Sequence, residues 1–315
     1  MIELKAVYGK FAVVCGEEMI SVGMDNIKRA RWMLVASMTV FGTLAIFVRN
    51  ITLGSGELAL YRAILAALLI GGYLVLTGQR LPLNQIGREA PLLLASGAAM
   101  GINWLLLFEA YKYTTVSVAT LSYYFAPVIV TAVCPFLFRE RLTVKQIICF
   151  IMSTLGLVLI IGVGDLAGGG TDMKGICFGL GAAVFYATVM LMNKFIKSVD
   201  GINRTLLQFI GAIVVLAPYV LLTSGCNLGT LDGLGWGCLL IVGIIHTGIT
   251  YCLYFSSLKE LPGQKAAILS YIDPLVAVIV SVGLLGEPLT AGQAVGGTLV
   301  LGFTLWNEIT PQKAA

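Results

Sequence analysis

Residues 111–143 read YKYTTVSVATLSYYFAPVIVTAVCPFLFRERLT, and residues 257–290 read SLKELPGQKAAILSYIDPLVAVIVSVGLLGEPLT. A shift of 147 residues aligns the two blocks and places Pro127 on Pro274. In each block a glutamate follows this proline after 13 residues. The further aligned pairs are Gly101/Gly248, Phe108/Phe255, Lys112/Lys259, Ala119/Ala266, Tyr124/Tyr271, Glu140/Glu287, Leu142/Leu289 and Thr143/Thr290. The chain therefore contains an internal repeat.

Long apolar runs occupy most of the chain around these blocks. Hydrophobic residues make up 58% of the 315 residues and charged residues only 11%, whereas a soluble domain carries about 25% charged residues. Apolar runs of about 20 residues are typical of membrane-spanning helices. We therefore predict an all-α membrane protein with ten transmembrane helices. Their predicted ranges are 32–49, 57–77, 91–111, 115–138, 144–163, 174–195, 204–223, 234–257, 264–285 and 290–308.

The repeat unit contains five predicted helices, which is an odd number. The second copy must then enter the membrane from the opposite side, so we predict two inverted five-helix repeats. Inverted repeats are typical of secondary transporters, because two arrangements of similar energy can face opposite sides around one central site. The predicted units are a first repeat at 32–163, a linker at 164–173 and a second repeat at 174–308. A duplication without any mechanistic use is the alternative.

The distribution of lysine and arginine predicts the orientation in the membrane. With the N-terminus inside, the inside segments hold sixteen of these residues. The outside segments hold three: Arg49, Lys112 and Lys174. We therefore predict a multi-pass protein of the cytoplasmic membrane whose terminal segments, 1–31 and 309–315, both lie in the cytoplasm. The segment that begins at Met24 resembles an ordinary cytoplasmic segment that leads into a first membrane helix. We therefore predict that Met24 is the natural translation start and that the residues before it are poorly ordered.

The two quoted blocks resemble the duplicated signature of the EamA family, which belongs to the drug/metabolite transporter superfamily. The likeness covers about residues 30–308. It implies ten helices in two inverted repeats around a central substrate cavity. Members of the family export amino acids, toxic compounds and other metabolites. The resemblance therefore implies transport much more strongly than it implies a particular substrate.

Several other function classes are disfavoured by composition. The seven cysteines form no C-x-x-C pair, and His246 is the single histidine, so we expect no metal site and no cofactor. The net charge of +4 comes without a run of basic residues suited to reading bases, so we expect no nucleic-acid partner. A membrane enzyme would need clustered nucleophiles, metal ligands or paired carboxylates. A sensor would need a sizeable soluble domain, and we predict neither class.

Pro127 and Pro274 stand inside predicted apolar helices. A proline lacks the backbone N–H and clashes with the carbonyl four residues earlier, which here belongs to Tyr123 or Ser270. A released carbonyl in hydrocarbon needs a partner or a wet cavity. We therefore interpret both prolines as kinks that shape a substrate chamber, with packing bends as the alternative.

Four ionisable residues inside predicted helices are candidates for function, because charged groups within a membrane usually face the bundle interior or a water-filled route. Arg62 could hold a substrate carboxylate, pair with an acid or extend to the nearby surface. Asp273, whose counterpart in the first repeat is Ala126, is the leading candidate for carrying a proton or binding a substrate amine. Glu109, which could pair with Arg62 or Lys112, is a second candidate. His246 is a third, although a hydrogen bond to a neighbouring helix is the commoner role.

Aromatic and amide residues are dense around the two prolines. Such residues suit a pocket that stacks an apolar body and hydrogen-bonds a polar head. Together with Arg62, the predicted cavity residues are Asn103, Trp104, Tyr123, Tyr124, Tyr186, Tyr251 and Tyr271.

These features predict a secondary transporter that exports a small metabolite, an amino acid or a similar amphiphilic solute, by alternating access. An uncoupled facilitator and an exporter of toxic compounds are the alternatives. The expected partners are the small-molecule substrate and membrane lipid. The G-x-x-x-G spacings at 97–101, 175–179 and 292–296 permit close helix packing, within one chain or in a homodimer.

Overall fold

The computed structural model describes residues 27–77, 83–138, 143–161, 171–193, 195–196, 199, 201–223, 225–261 and 269–309. The predicted start at Met24, the glycine run of the predicted linker and Glu140 lie outside these ranges. The described residues form helices and connecting turns, with no β-strand among them.

Twelve α-helices and one π-helix account for most of the described residues. The helices are α1 (Ile27–Val48), α2 (Ser55–Leu76), α3 (Leu83–Tyr113), α4 (Val116–Tyr123), α5 (Ala126–Phe138), α6 (Val144–Ile161), α7 (Thr171–Asn193), α8 (Gly201–Thr223), α9 (Gly233–Leu240), the π-helix (Ile241–Ile249), α10 (Thr250–Glu260), α11 (Ile272–Gly283) and α12 (Ala291–Ile309). A 3-10 turn, Leu228–Thr230, precedes α9. The chain is already helical at Ile27, before the predicted start at 32, and α7 includes residues 171–173 of the range predicted as linker.

Six helical segments are long and apolar enough to cross a membrane. They are Ile27–Val48, Ser55–Leu76, Gly87–Tyr113, Met173–Asn193, Ile202–Thr223 and Gly233–Tyr254. Three shorter apolar helical stretches are Val116–Val130, Val144–Ile160 and Ile272–Gly283. The described part of the chain is therefore that of a multi-pass membrane protein.

Helices of the first repeat pack mainly against helices of the second. Helix α3 packs along α7 and α8, and α2 packs against α8 and the π-helix. Helix α4 contacts α7 and α11, while α6 and α12 pack closely on each other. The largest buried apolar cluster accordingly draws residues from both repeats, including Leu58 and Trp104 from the first and Phe209 and Leu239 from the second. The interface between the repeats is the core of the bundle.

Glycines allow these helices to approach closely. A Cβ atom added at Gly97 would lie 2.1 Å from the carbonyl oxygen of Gln208, and one at Gly211 would lie 2.4 Å from that of Leu94. A Cβ at Gly296 would lie 2.4 Å from the carbonyl oxygen of Gly156. Backbone oxygens cannot rotate away as side chains can, so these contacts require glycine. Gly97 and Gly296, from two of the three G-x-x-x-G spacings, therefore pack within the chain.

Gly97→Ala should destabilise the bundle, because the methyl group would force α3 and α8 apart. We expect a loss of about 1–3 kcal/mol, the usual range for an overpacked core. Gly72→Ala is the matched control, since a Cβ at Gly72 meets nothing within 4 Å. Thermal unfolding in detergent measures the effect, and equal melting temperatures for the two variants would contradict the packing argument.

Helix interruptions occur at repeat-related positions beside the two prolines. Helix α4 ends at Tyr123 and α5 begins at Ala126, so the predicted helix 115–138 is divided by a turn at 124–125. Helix α11 begins at Ile272, directly after a turn at Tyr271 and two residues before Pro274. Each interruption lies where the proline removes a helical hydrogen bond. Both interruptions lie beside several of the predicted site residues.

Candidate substrate site

Arg62 is buried in the core, with 2% of its surface exposed. Its Nε donates a hydrogen bond to Thr247 Oγ1 over 2.9 Å. The carbon atom at the centre of the guanidinium lies 4.3 Å from the ring centre of Trp104 and 5.2 Å from that of Phe108. Attraction to aromatic faces stabilises a cation in a site of this kind. Among the described residues, no carboxylate forms an ion pair with Arg62. Of the two partners considered for Glu109, the structure shows Lys112 and not Arg62.

An aromatic group extends from Arg62 towards the second repeat. Tyr251 lies 6.0 Å from Trp104 and 5.6 Å from Phe209 between ring centres. Phe41 of α1 packs edge-on against Tyr251 at 5.0 Å and against Tyr254 at 6.3 Å. Trp104 and Tyr251, at aligned positions of the two repeats, are thus direct neighbours.

Asp273 lies at the start of α11, where the turn at Tyr271 has just ended. Its Oδ2 accepts a hydrogen bond of 2.6 Å from Tyr124 Oη. Tyr124 packs against Tyr123 at 5.5 Å and against Tyr271 at 6.5 Å. The turn between α4 and α5 and the turn before α11 therefore bring together the two aligned tyrosines and the acid that only the second repeat carries.

Four tyrosines connect the cation to the acid, and we call Tyr111, Tyr123, Tyr186 and Tyr251 the tyrosine cluster. Tyr123 and Tyr186 stack with their ring centres 5.0 Å apart. Three members, namely Tyr111, Tyr123 and Tyr251, lie within electrostatic range of both Arg62 and Asp273. All four side chains and that of Asp273 are half-buried rather than buried.

Two of the predicted residues, Asn103 and Glu109, make their hydrogen bonds outside this region. Asn103 donates from Nδ2 to the carbonyl oxygen of Ala182 over 2.6 Å, which ties α3 to α7. Glu109 accepts from Ser55 Oγ at 2.6 Å and pairs with Lys112 at 2.9 Å. These contacts describe helix packing rather than a ligand site.

His246 also has a neighbour on another helix. Its Nε2 lies 3.1 Å from Thr43 Oγ1, and its ring centre lies 5.0 Å from that of Phe47. Thr43 stands at a turn within α1. The contact to α1 is the hydrogen bond to a neighbouring helix that was favoured over a titrating role.

Sequence reasoning missed three residues of this region. Phe108 and Tyr111 follow Trp104 at four and seven residues on α3, which is the spacing of one helix face, so helical periodicity could have identified both. Thr247 had no comparable signal, because its position depends on the π-helix. No group of three or more His, Cys, Asp or Glu side chains suited to a metal ion occurs among the described residues.

A sequence profile of the EamA-like transporter family matches residues 28–162 and again residues 173–307. The chain belongs to the EamA-like transporter family. The two matches correspond to the two repeats, and they confirm the resemblance that the paired proline-to-glutamate blocks predicted.

Individual relatives of this chain are also named transporters. The uncharacterized transporter YxxF of Bacillus subtilis is 32% identical over 78% of this chain and 78% of its own length. An uncharacterized transporter of Archaeoglobus fulgidus is 28% identical over 87% of this chain and 95% of its own. A solved crystal structure aligns with a TM-score of 0.61 at 15% identity, covering 87% of this chain and 95% of the other. That last likeness concerns the fold alone.

Proposed function

We propose that this EamA protein is a secondary transporter that exports an amino acid or a similar small amphiphilic solute by alternating access. The observation that carries the proposal is the joint placement of Arg62 and Asp273 around one tyrosine cluster. Each charged group is held by a neutral hydroxyl group, Thr247 or Tyr124. Neither is neutralised by an opposite charge among the described residues.

The charges of this site are complementary to those of a zwitterion. A guanidinium binds a carboxylate with two parallel hydrogen bonds, and Arg62 offers such a group in surroundings that exclude most water. Asp273 can accept a substrate ammonium group, and the nearby tyrosine rings add cation–π attraction. The apolar body of the solute would lie on the rings between the two ends. A substrate lacking either charged end would leave one buried charge without its partner.

Alternating access is supported by the arrangement of the repeats. Arg62 and Tyr123 come from the first repeat, whereas Tyr251 and Asp273 come from the second. Relative motion of the repeats would therefore move the two halves of the site. Both helix interruptions beside the prolines adjoin the site, and irregular backbone at membrane depth is tolerated where it lines a cavity or is buried in protein.

We also propose ten membrane spans with both termini in the cytoplasm, in the cytoplasmic membrane. The sixteen-to-three distribution of lysine and arginine supports this orientation. An inner membrane transporter of Escherichia coli, YedA, is 31% identical over 39% of this chain. A reporter that is active only in the cytoplasm, fused after residue 315, should be active. An inactive fusion that is inserted and full-length would contradict the orientation.

Counterflow in proteoliposomes tests the proposed function. Liposomes containing the protein and loaded with one unlabelled amino acid should take up its labelled form faster than protein-free liposomes for at least one member of an amino acid panel. Unlabelled competitors that share a phenyl ring but differ in their charged groups then show which charges the transporter recognises. Phenylalanine should compete more strongly than 3-phenylpropionate, which lacks the amine, or phenethylamine, which lacks the carboxylate.

Two other results of the counterflow experiment would contradict the proposed amino acid substrate. Strong competition by phenethylamine alone would favour the exporter of toxic compounds, because tyrosine rings around an acid also suit an organic cation. Absence of counterflow for every amino acid in the panel, with folded protein in the liposomes, would contradict the proposed substrate class.

A further inference from the structure

Two threonines, one in the π-helix and one directly after it, make hydrogen bonds with an unusual spacing. Thr247 Oγ1 donates to the carbonyl oxygen of Val242 over 2.7 Å, and Thr250 Oγ1 donates to that of Ile245 over 2.7 Å. Both bonds join residues five apart, whereas threonine in an α-helix bonds back three or four residues. The aligned part of the first repeat, around Gly101, is α-helical throughout. The π-helix is therefore a feature of the second repeat that the internal symmetry does not explain.

The hydroxyl group of Thr247 has a fixed orientation, with its proton on one side and a lone pair on the other. A threonine hydroxyl has one proton to donate, and here that proton is directed to the carbonyl of Val242. The side chain is fully buried, so no rotation towards water is available. The oxygen must therefore present a lone pair to Arg62 Nε, which donates to it over 2.9 Å.

This bond fixes the orientation of the Arg62 guanidinium. The Nε–H is held by Thr247, and the flat group lies against the rings of Trp104 and Phe108. The terminal nitrogens Nη1 and Nη2 form no hydrogen bond with any described residue. Tyr251, Tyr111 and Tyr123 of the tyrosine cluster interact electrostatically with the cation, and so does His246. The free edge of the guanidinium thus has a defined direction and an available pair of donors.

We propose that Thr247 is a positioning residue that aligns Arg62 for a planar anionic group with two oxygens, such as a carboxylate. The inference rests on the proposed function, because it assigns the anionic end of the substrate to Arg62. The inference adds that Thr247 sets the orientation of the Arg62 guanidinium, and that the π-helix serves to place the Thr247 hydroxyl group. With α-helical spacing, residue 247 could not bond to Val242, and its hydroxyl group would instead bond back to Gly243 or Ile244, which would change the position of the lone pair offered to Arg62.

Three variants separate positioning from general stability. Thr247→Val keeps the shape of the side chain and removes the acceptor, whereas Thr247→Ser keeps the hydroxyl group. Thr250→Val is the matched control, because Thr250 is equally buried and makes the same five-residue bond without touching Arg62. A structural role for the π-helix would make both valine variants behave alike.

Binding can be followed without transport through Trp104, which lies against the guanidinium. Replacing Trp32, Trp236 and Trp306 by phenylalanine leaves Trp104 as the single tryptophan. Its emission is then titrated with benzoate, which carries a carboxylate and no amine. We expect Thr247→Val to raise the half-saturating benzoate concentration about ten-fold, since a hydrogen bond to a charged group contributes on the order of such a factor. Thr247→Ser and Thr250→Val should remain within about two-fold.

In counterflow, Thr247→Val should raise the KM of the panel amino acid with the highest flux about ten-fold and leave the maximal rate within about two-fold. Benzoate binding that depends on Thr247 without any amino acid flux would support the positioning role and contradict the proposed carrier function. The opposite result is that amino acids are transported but benzoate binds equally well to Thr247→Val and Thr250→Val. That result would overturn the positioning role and leave the carrier function intact.

Discussion

Arg62→Met should lower amino acid counterflow by about 30-fold or more. Removing one partner of a buried, hydrogen-bonded charge pair costs about 2–5 kcal/mol, and 1.4 kcal/mol corresponds to a factor of ten. The methionine side chain retains most of the apolar packing against Trp104 and Phe108, so the change isolates the charge. Initial rates over a range of substrate concentrations measure the loss.

Two further variants define what Arg62 contributes. Arg62→Lys keeps the positive charge but loses the planar pair of donors, so it should transport at an intermediate rate. Arg88→Met removes an exposed arginine on a different helix, α3, and should transport normally. Each protein is first checked for a single symmetric peak in size-exclusion chromatography. Normal counterflow by folded Arg62→Met would show that the arginine is a packing residue and would remove it from the substrate site.

Much of the fold follows from local features of the sequence. Apolar runs predicted the six helical segments that are long and apolar enough to cross a membrane, because a helix in lipid must satisfy its own backbone and present apolar side chains. The prolines located the interruptions beside Tyr124 and Tyr271, because a missing N–H has the same local effect in any helix. The internal repeat predicted which residues of the first half correspond to which residues of the second half. The family profile matched the same two halves.

Contacts between distant helices were much harder to predict. His246 meets Thr43, and Arg62 meets Thr247, across 203 and 185 residues of chain. Such pairs depend on how helices rotate and cross, and many side-chain combinations satisfy the same apolar pattern. The π-helix was also unpredicted, since its residues, IVGIIHTGI, read as an ordinary apolar helix.

The sequence shows that the two repeats carry different charged residues at aligned positions, but it does not show that these residues lie near each other in the fold. Arg62 aligns approximately with Gln208, whose Nε2 donates to Ser96 Oγ at 2.8 Å and to Asn193 Oδ1 at 3.0 Å. Asp273 aligns with Ala126. Each repeat therefore contributes one charged group where the other has a neutral one. The structure adds that the two charged positions lie near the same tyrosine cluster, so the repeats contribute unlike charges to one region.

Asp273→Asn should abolish accumulation driven by a pH gradient while retaining exchange at saturating substrate. The asparagine keeps a side-chain oxygen that can accept the hydrogen bond from Tyr124, but it cannot take up or release a proton. A carboxyl group at this depth is a candidate for a proton relay in transporters. Proteoliposomes with an imposed pH gradient measure accumulation, and counterflow without a gradient measures exchange. Because the amine is also assigned to Asp273, exchange should show a raised KM.

Glu109→Gln and His246→Gln are the controls for this experiment, because they change the two other candidates for proton coupling. Both should retain accumulation, since Glu109 is bonded to Ser55 and Lys112 and His246 to Thr43. Accumulation that persists in Asp273→Asn but disappears in either control would move the coupling role to that residue. If the unchanged protein merely equilibrates the amino acid at every pH, the protein is a facilitator. Asp273 would then bind the substrate amine without carrying a proton, and the site would serve recognition alone.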